Sequence, residues 1–452
     1  DEGRFTDVTA ETGAGLAVRG QGCVASDLDR DGNTDLYVTA ADRNALLWND
    51  DGGRFTEGAD AAGVGVFGWY TGAAAGDVDG NGWPDLVVTG YVDQANRIPD
   101  AALGFPSTYQ GRRDLLFLNE GPSDGGRVRF REAGTEAGLE VARFAYGLGV
   151  VLSDFERDGD LDVYVANDTN PNGLYENVPW PGGAETDPAG LGFRFEERAA
   201  AAGVADEASG MGIADADFDG DGRADLFISN SRGQVHAVYR SNPPDENDPS
   251  FIDVRSEFGP GLEKGTGWGV SWADLDLDTD LDLVLVNGDV PVTDLVEDAE
   301  SAQAYRNLAA DGKRGSLEEV GGRVGLSDVG ALVARGSAAA DYDNDGDVDI
   351  AAIGVGGPLV LLENTGAAGN WLEVALERSP PGAEATVVLP DGRKLRRELQ
   401  AGSSYLSSED PRLHFGLGDA AEASELVVRW PGGEKTRLDD VEANQLIEVG
   451  AP

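Results

Sequence analysis

Six copies of one acidic nonapeptide run through the chain, and they restrict its fold more than any other feature. They are DLDRDGNTD (Asp27 to Asp35), DVDGNGWPD (Asp77 to Asp85), DFERDGDLD (Asp154 to Asp162), DFDGDGRAD (Asp217 to Asp225), DLDLDTDLD (Asp274 to Asp282) and DYDNDGDVD (Asp341 to Asp349). The shared pattern is D-x-D-x-D-G-x-x-D. Carboxylates at positions 1, 3, 5 and 9 bring hard oxygens to one point, and glycine at position 6 allows the turn that brings in the position 7 carbonyl. That oxygen shell suits Ca²⁺ in a shortened EF-hand-like loop. Four carboxylates in one loop repel each other, and a cation relieves the repulsion.

The candidate ligands follow position by position. They are Asp27, Asp29, Asp31, Asn33 and Asp35 in the first loop, then Asp77, Asp79, Asn81, Trp83 and Asp85 in the second. The third offers Asp154, Glu156, Asp158, Asp160 and Asp162, and the fourth Asp217, Asp219, Asp221, Arg223 and Asp225. The fifth offers Asp274, Asp276, Asp278, Asp280 and Asp282, and the sixth Asp341, Asp343, Asp345, Asp347 and Asp349. The seventh-position residues Asn33, Trp83, Asp160, Arg223, Asp280 and Asp347 enter through their carbonyls. One ion per loop predicts roughly five or six Ca²⁺. Thr279 replaces glycine at position 6 of the fifth loop, where a positive φ is costly for a β-branched residue. The fifth site therefore ranks weakest, and the third, with the longer Glu156, ranks next.

Successive first aspartates lie 50 to 77 residues apart. Each unit has a small-residue strand before the loop (GCVASD, GAAAGD, GVVLSD) and an apolar strand after it (DLYVTA, DLVVTG, DVYVAND). A third strand and an aromatic-led fourth follow. Short strands at this repeat length predict an all-β, six-bladed β-propeller over residues 1–366, with seven blades as the alternative. The sixth unit has a third strand at Leu359 to Glu363 and no fourth. The strand-like Phe5 to Thr9 is expected to pair beside it and close the ring. Insertions at 91–113, 179–192 and 243–249 read as surface loops, and 288–302 as a link with one short helix. After Asn370 the loops stop and alternating runs predict a small β domain over 367–452.

The formal net charge is −49, so nucleic acid is excluded as a partner class. Cys23 is the single cysteine, so no intrachain disulfide forms. No apolar run reaches a membrane span. The first residue is Asp1 rather than Met, which suits a cleaved or trimmed form. With two histidines, His236 and His414, both read as structural, the sequence supplies no catalytic constellation. Whether the chain is an enzyme is left open, with the balance against it. One rim of the propeller gathers Arg19, Trp69, Tyr70, Tyr91, Tyr146, Asp168, Arg232, Trp268 and Arg335. These are candidate partner contacts, or wedges between blades.

The loops with their following strands resemble FG-GAP/VCBS repeats of integrin-α-type propellers. NWLEVALE, YLSSEDPRLHFGLG and ELVVRWPGGEKTRL resemble the ASPIC/UnbV domain of the cartilage acidic protein family, as do FTDVTAETGAGL and DVYVANDTNPNGLYEN. The resemblance implies a Ca²⁺-binding propeller in a secreted or cell-surface protein, with a periplasmic location as the alternative. It implies no single activity. The reading is a binding module for a protein or glycan at the cell surface or in the matrix. The alternatives are a structural subunit of an extracellular assembly or filament, and a metal-dependent enzyme acting on a small substrate.

Overall fold

The computed structural model describes residues 5–50, 52–99, 104–122, 126–139, 145–242, 249–258, 261–310, 312–313, 315–357 and 359–452. Small residues before each acidic loop form a chain of innermost strands: Gly20–Ser26, Tyr70–Gly76, Gly147–Ser153, Gly210–Ala216, Gly267–Ala273 and Ala334–Ala340. Each packs against the next along that order. The approach is close because glycines sit at the contact. A methyl group on Gly72 would collide with the Leu148 carbonyl, and one on Gly212 with that of Trp268.

Each innermost strand pairs antiparallel with the strand that leaves its loop, as Val24 opposite Tyr37 and Ala74 opposite Val87 illustrate. Units one to five are four-stranded antiparallel sheets, with outer strands Phe55–Glu57, Val128–Glu132, Phe193–Glu197, Phe251–Asp253 and Leu317–Glu319. The apolar faces of neighbouring sheets pack together. Val24, Tyr37, Leu46 and Trp48 of unit one share a core with Ala75, Leu86, Val88 and Phe117 of unit two. The result is an all-β, propeller-like array.

Three expectations are corrected. Among the described residues the sixth sheet has three strands, Ala334–Ala340, Asp349–Gly354 and Leu359–Leu362. Phe5 to Val8 lies outside every sheet, Thr9–Thr12 is a short helix, and Phe5 is 77% exposed. The insertion at 91–113 is not a plain loop, because Val92–Arg97 and Tyr109–Gly111 form a hairpin anchored by the buried Tyr91 and Val92. Residues 288–302 hold turns and isolated bridges but no helix. The predicted surface loop at 179–192 is a run of turns; in the one at 243–249, residues 243–248 lie outside the described residues.

From Asn370 onward the alternating runs build a sandwich. One sheet orders Leu413–Gly418, Asn370–Leu376 and Gln445–Val449, and the other Lys394–Glu398, Glu384–Val388, Glu422–Arg429 and Lys435–Glu442. Leu372, Val374, Val387, Phe415, Leu426 and Val428 fill the space between them. The connection from Lys394–Glu398 to Leu413–Gly418 leaves the sandwich and enters the middle of the array. The Leu406 carbonyl accepts from Cys23 N at 3.1 Å, Ser404 N donates to the Ile213 carbonyl at 2.7 Å, and Val270 N donates to Ser404 Oγ at 2.9 Å.

Candidate metal centre

The acidic loops fold by the same local bonds. The first aspartate takes the backbone N–H groups of positions 5 and 6 on its two oxygens. Asp217 does so from Asp221 and Gly222 (both 2.8 Å), and Asp77 from Asn81 and Gly82 (3.0 and 2.8 Å). The position 5 carboxylate or amide oxygen accepts from position 7, as Asp31 does from Asn33 N and Asn81 from Trp83 N (2.8 Å each). The last aspartate is buried and doubly engaged. Asp85 Oδ2 accepts from Val78 N at 2.9 Å and Oδ1 from Asn119 N at 2.7 Å. It therefore pins the third strand to the loop as well as offering oxygen lone pairs to the centre.

These bonds gather carboxylates. The side-chain oxygens of Asp27, Asp29 and Asp35 lie within 4.8 Å of one another. So do those of Asp77, Asp79 and Asp85, of Asp217, Asp219 and Asp225, of Asp274, Asp276 and Asp282, and of Asp341, Asp343 and Asp349. The donor set is all oxygen and anionic, which fits a hard divalent cation. Burial pushes these carboxyls up, Asp27, Asp77 and Asp217 to about 6, Asp35 to about 7 and Asp274 to about 8, and neighbouring carboxylates add to the rise. Negative charge is held out of water at these clusters, and Arg127 at the first and Arg306 at the fifth offset part of it.

The third loop stands apart among the described residues. Asp154 accepts from Gly159 N at 3.1 Å, and its Oδ2 also takes a 3.0 Å ion pair from Arg429 of the sandwich. Glu156 is buried and its carboxyl is pushed up to about 7 by burial, while the wholly buried Asp162 is also driven upward. The fifth loop gathers its carboxylates despite Thr279, whose φ is +89°, beside Gly222 at +89° and Gly32 at +93° in the equivalent turns. Arg306 reaches this cluster, with Nε 2.7 Å from Asp276 and Nη2 2.9 Å from Asp278.

Sequence reasoning missed the sandwich's hold on the loops. Arg412 Nη2 donates to the Asp341 carbonyl at 2.6 Å, His414 Nε2 lies 2.9 Å from the Gly346 carbonyl, and Arg393 Nη1 donates to Thr279 Oγ1 at 2.6 Å. It also missed an asparagine at the end of the third strands. Asn119 Nδ2 donates to the Leu28 carbonyl (2.9 Å), Asn177 to Val78, Asn307 to Phe218 and Asn364 to Leu275 (each 2.8 Å). Each bond ties one unit to the loop of the unit before it. The repeated asparagine in ALLWN, LLFLN, QAYRN and LVLLEN was the available signal.

Both histidines are structural by environment. His236 is buried, with Nδ1 accepting from Asn230 N at 2.9 Å, and burial lowers both His236 and His414 to about 4. The rim residues mostly serve internal contacts. Tyr91 OH donates to Asp168 Oδ2 and Tyr146 OH to the Tyr109 carbonyl, both at 2.8 Å. Trp268 is buried between the Arg335 guanidinium, 4.0 Å above its ring, and Tyr405 of the sandwich, 4.7 Å away. Arg112 lies 4.9 Å over the ring of the buried Tyr70. Arg232 pairs with Asp289 at 3.1 Å and with Glu300, and Arg19 pairs with Asp42 at 3.5 Å. Trp69 stays half-buried beside Tyr91 (5.2 Å) and Phe105 (6.0 Å), and Phe105 is exposed. Phe105 was not among the sequence candidates.

No helix among the described residues is long and apolar enough to cross a membrane. Two family descriptions match: an FG-GAP-like repeat over residues 2–88 and 217–285, and ASPIC and UnbV over 374–452. Cartilage acidic protein 1 of Mus musculus is 29% identical over 342 residues, 72% of this chain and 48% of that protein. The Homo sapiens protein is also 29% identical, over 72% of this chain and 47% of its own length. The chain thus spans about half the length of the curated relatives it matches. Among solved structures, an Agrocybe aegerita lectin recognising non-reducing terminal N-acetylglucosamine is similar at 17% identity and a TM-score of 0.44, over 80% of this chain and 84% of the lectin. The exotype rhamnogalacturonan lyase YesX is similar at 14% identity and a TM-score of 0.36, over 95% of this chain and 73% of the lyase. With repeated acidic loops and the sandwich docked on them, the chain is similar to cartilage acidic protein 1, and it matches the FG-GAP-like repeat and ASPIC and UnbV descriptions over those residues.

Proposed function

We propose that this chain is a calcium-stabilised binding module that works outside the cytoplasm, at a cell surface or in a matrix. Residues 1–366 would form a six-bladed β-propeller and 367–452 an ASPIC/UnbV-type β domain. One observation carries the metal reading: five clusters of three aspartates, each at the same place in its unit, with side-chain oxygens within 4.8 Å. Positions 1, 3, 5 and 9, with the position 7 carbonyl, are the proposed ligands. Loops of extracellular modules bind Ca²⁺ at about 10⁻⁴–10⁻³ M, which external calcium fills and cytosolic calcium does not. The third loop ranks weakest on geometry, ahead of the fifth, because Arg429 engages Asp154 and the loop gathers no three-carboxylate cluster among the described residues.

The proposed partner is a protein or glycan. Support comes from the aromatic corner of Trp69, Tyr91 and Phe105, with Phe105 55% exposed and Phe67 68% exposed nearby. Exposed rings beside arginine suit a sugar face or a protein loop. Calcium titration by calorimetry, with Mg²⁺ as control, tests the metal reading; heat-free titration and an unmoved melting curve would reject it. A glycan and matrix-protein screen with and without Ca²⁺ tests the partner reading. A Trp69→Ala, Phe105→Ala double variant that keeps every hit would remove that corner from the site.

A further inference from the structure

Among the described residues the sixth sheet ends on an unpaired strand, and Phe5 to Asp7 is an unpaired segment that matches the strand that would complete it. Each outer strand ends on an acid that accepts from the backbone N–H two residues later. Glu57 accepts from Ala59 (3.1 Å), Glu132 from Gly134 (2.9 Å), Glu197 from Ala199 (2.9 Å), Asp253 from Arg255 (3.0 Å) and Glu319 from Gly321 (3.0 Å). A sixth instance lies at the other end of the chain, where Asp7 Oδ1 accepts from Thr9 N at 2.9 Å. The helix Thr9–Thr12 then closes on Gly13 in the left-handed region, as later helices close on Gly63, Gly138 and Gly203. Position matches too. Gly13 faces the Phe55 carbonyl of the next outer strand, as Gly63 faces that of Phe130 and Gly138 that of Phe195. Phe5 to Asp7 therefore stands beside unit one where the outer strand of a preceding unit belongs.

Its own sixth sheet is not there to meet it. The segment Ser404 to Ser408 lies between the two ends of the array. Cys23 N and Ala25 N of unit one donate to the Leu406 carbonyl (3.1 Å) and Ser408 Oγ (3.1 Å), while Ser404 Oγ lies 3.2 Å from Ser337 Oγ of unit six. Gly336 faces the Tyr405 carbonyl where the other glycines face the next unit's innermost strand. The asparagine ties agree. Asn49 of unit one, with no earlier loop in reach, donates to its own Thr34 carbonyl at 3.2 Å. A donor strand and an acceptor edge thus sit at opposite ends of one open array. Such a pair satisfies itself between copies, in a head-to-tail contact that repeats.

We propose that a second copy of this chain covers the open edge Leu359–Leu362 with its Phe5 to Asp7 segment. The register is fixed by the other units, where Asn49 faces Phe55, Ser241 faces Phe251 and Asn307 faces Leu317. Asn364 is their equivalent, since its N–H donates to Asp349 Oδ1 at 2.7 Å as that of Asn307 does to Asp282 at 2.8 Å. Phe5 then faces Asn364 of the other copy, Thr6 faces Glu363 and Asp7 faces Leu362. This contact needs neither the metal nor the rim partner.

The experiment uses the full chain in a Cys23→Ala background. Thr6→Cys and Glu363→Cys single variants, carrying tags of different mass, are mixed and mildly oxidised. The expected product is a heterodimer joined through the two introduced thiols, in at least several-fold excess over a control in which Asp439→Cys replaces Glu363→Cys. Light scattering of the uncrosslinked parent should give a mass that rises with concentration, and Phe5→Asp should hold it at the monomer. A Thr6→Cys, Glu363→Cys double variant that crosslinks only within one chain overturns the proposal. So does a mixture no better than the control, or a parent that stays monomeric at every concentration.

Discussion

Between units one and two, Asn119 crosses to the Leu28 carbonyl, and the apolar faces of the two sheets share one core. Between units six and one, Asn49 turns back to Thr34, and a segment from the sandwich fills the inner end of the gap. An asparagine makes this tie at four of the five internal junctions. At the ends of the array there is no copy, and the string YLSS of the sandwich connection is recruited instead. The internal junctions depend on loops that also gather carboxylates, whereas the end junction depends on Ser404, Tyr405 and Leu406. The two kinds should therefore fail for different reasons.

The largest expected effect is on the loops. At calcium concentrations of about 10–100 times Kd, each filled site adds about 1.4–2.7 kcal/mol, so five sites add on the order of 10 kcal/mol. Chelation should lower the melting temperature steeply, and pH should set how far. Asp27, Asp35 and Asp274 have folded values of about 6, 7 and 8, above the ordinary carboxylate range near 4. A raised carboxyl value means the folded chain holds protons that the unfolded chain has released. Calcium-free stability is then highest below about pH 4 with respect to these groups and falls as pH rises toward 8. Calcium should flatten that slope, because a bound ion keeps the same carboxyls ionised in the folded chain. Thermal melts across this range, with chelator and with calcium, check it; parallel curves would mean the loops are not the calcium sites.

The end junction should respond to the sandwich segment. Tyr405 is buried against Trp268, and truncation of a buried aromatic costs about 3–5 kcal/mol. Tyr405→Ala should lower the denaturation midpoint by a corresponding amount with calcium present, and should leave calcium affinity within about twofold. A loss under about 1 kcal/mol would show that the segment is not seated between the ends.

The asparagines give the most direct contrast. Asn119 is fully buried and donates to two carbonyls, those of Leu28 and Pro84. Asn119→Ala removes both bonds and leaves a buried acceptor unpaired, a loss of about 2–3 kcal/mol. Asn49 makes one bond within its own unit, and Asn49→Ala should lose about 0.5–1 kcal/mol. Urea denaturation of the two variants measures the difference. Equal losses would mean that units six and one meet in solution as the internal units do.

Much of this was legible in the sequence because the repeat is local. Every acidic loop, the innermost strands and the alternating runs of the sandwich appear where the pattern placed them, since turn chemistry and strand alternation act over a few residues. The closure of the ring was not legible. Phe5 to Asp7 carries the right signature, but the position of sheet six depends on Ser404 to Ser408, nearly four hundred residues away in sequence. The contact that sets the third loop apart was not legible for a similar reason. Asp154 is paired with Arg429 of the sandwich, a partner that no reading of DFERDGDLD could supply. Conversely, the positive φ at Thr279 was inferred from glycine in the other copies, because backbone conformation at a turn is set locally.

The smallest expected effect compares one turn position in two loops. Gly222 and Thr279 share φ = +89°, yet only one is β-branched. A β-branched residue at positive φ carries about 1–3 kcal/mol of strain. At Thr279 the sandwich offsets part of it. Arg393 Nη1 donates to Thr279 Oγ1 at 2.6 Å, and a methyl group on Gly418 would lie 3.5 Å from Thr279 Cγ2. Thr279→Gly relieves the strain but loses that bond and gains about 0.5–1 kcal/mol of unfolded-state freedom, so its net effect should lie within about 1 kcal/mol of zero. Gly222 has no such partner. A side chain there would find room, with Arg157 Nη1 3.5 Å from its first carbon, but it would bear the strain alone. Gly222→Thr should therefore destabilise by about 1–2 kcal/mol in calcium, measured by urea denaturation. If Gly222→Thr proves neutral, the turn tolerates branching in any loop, and the sandwich does not compensate for Thr279.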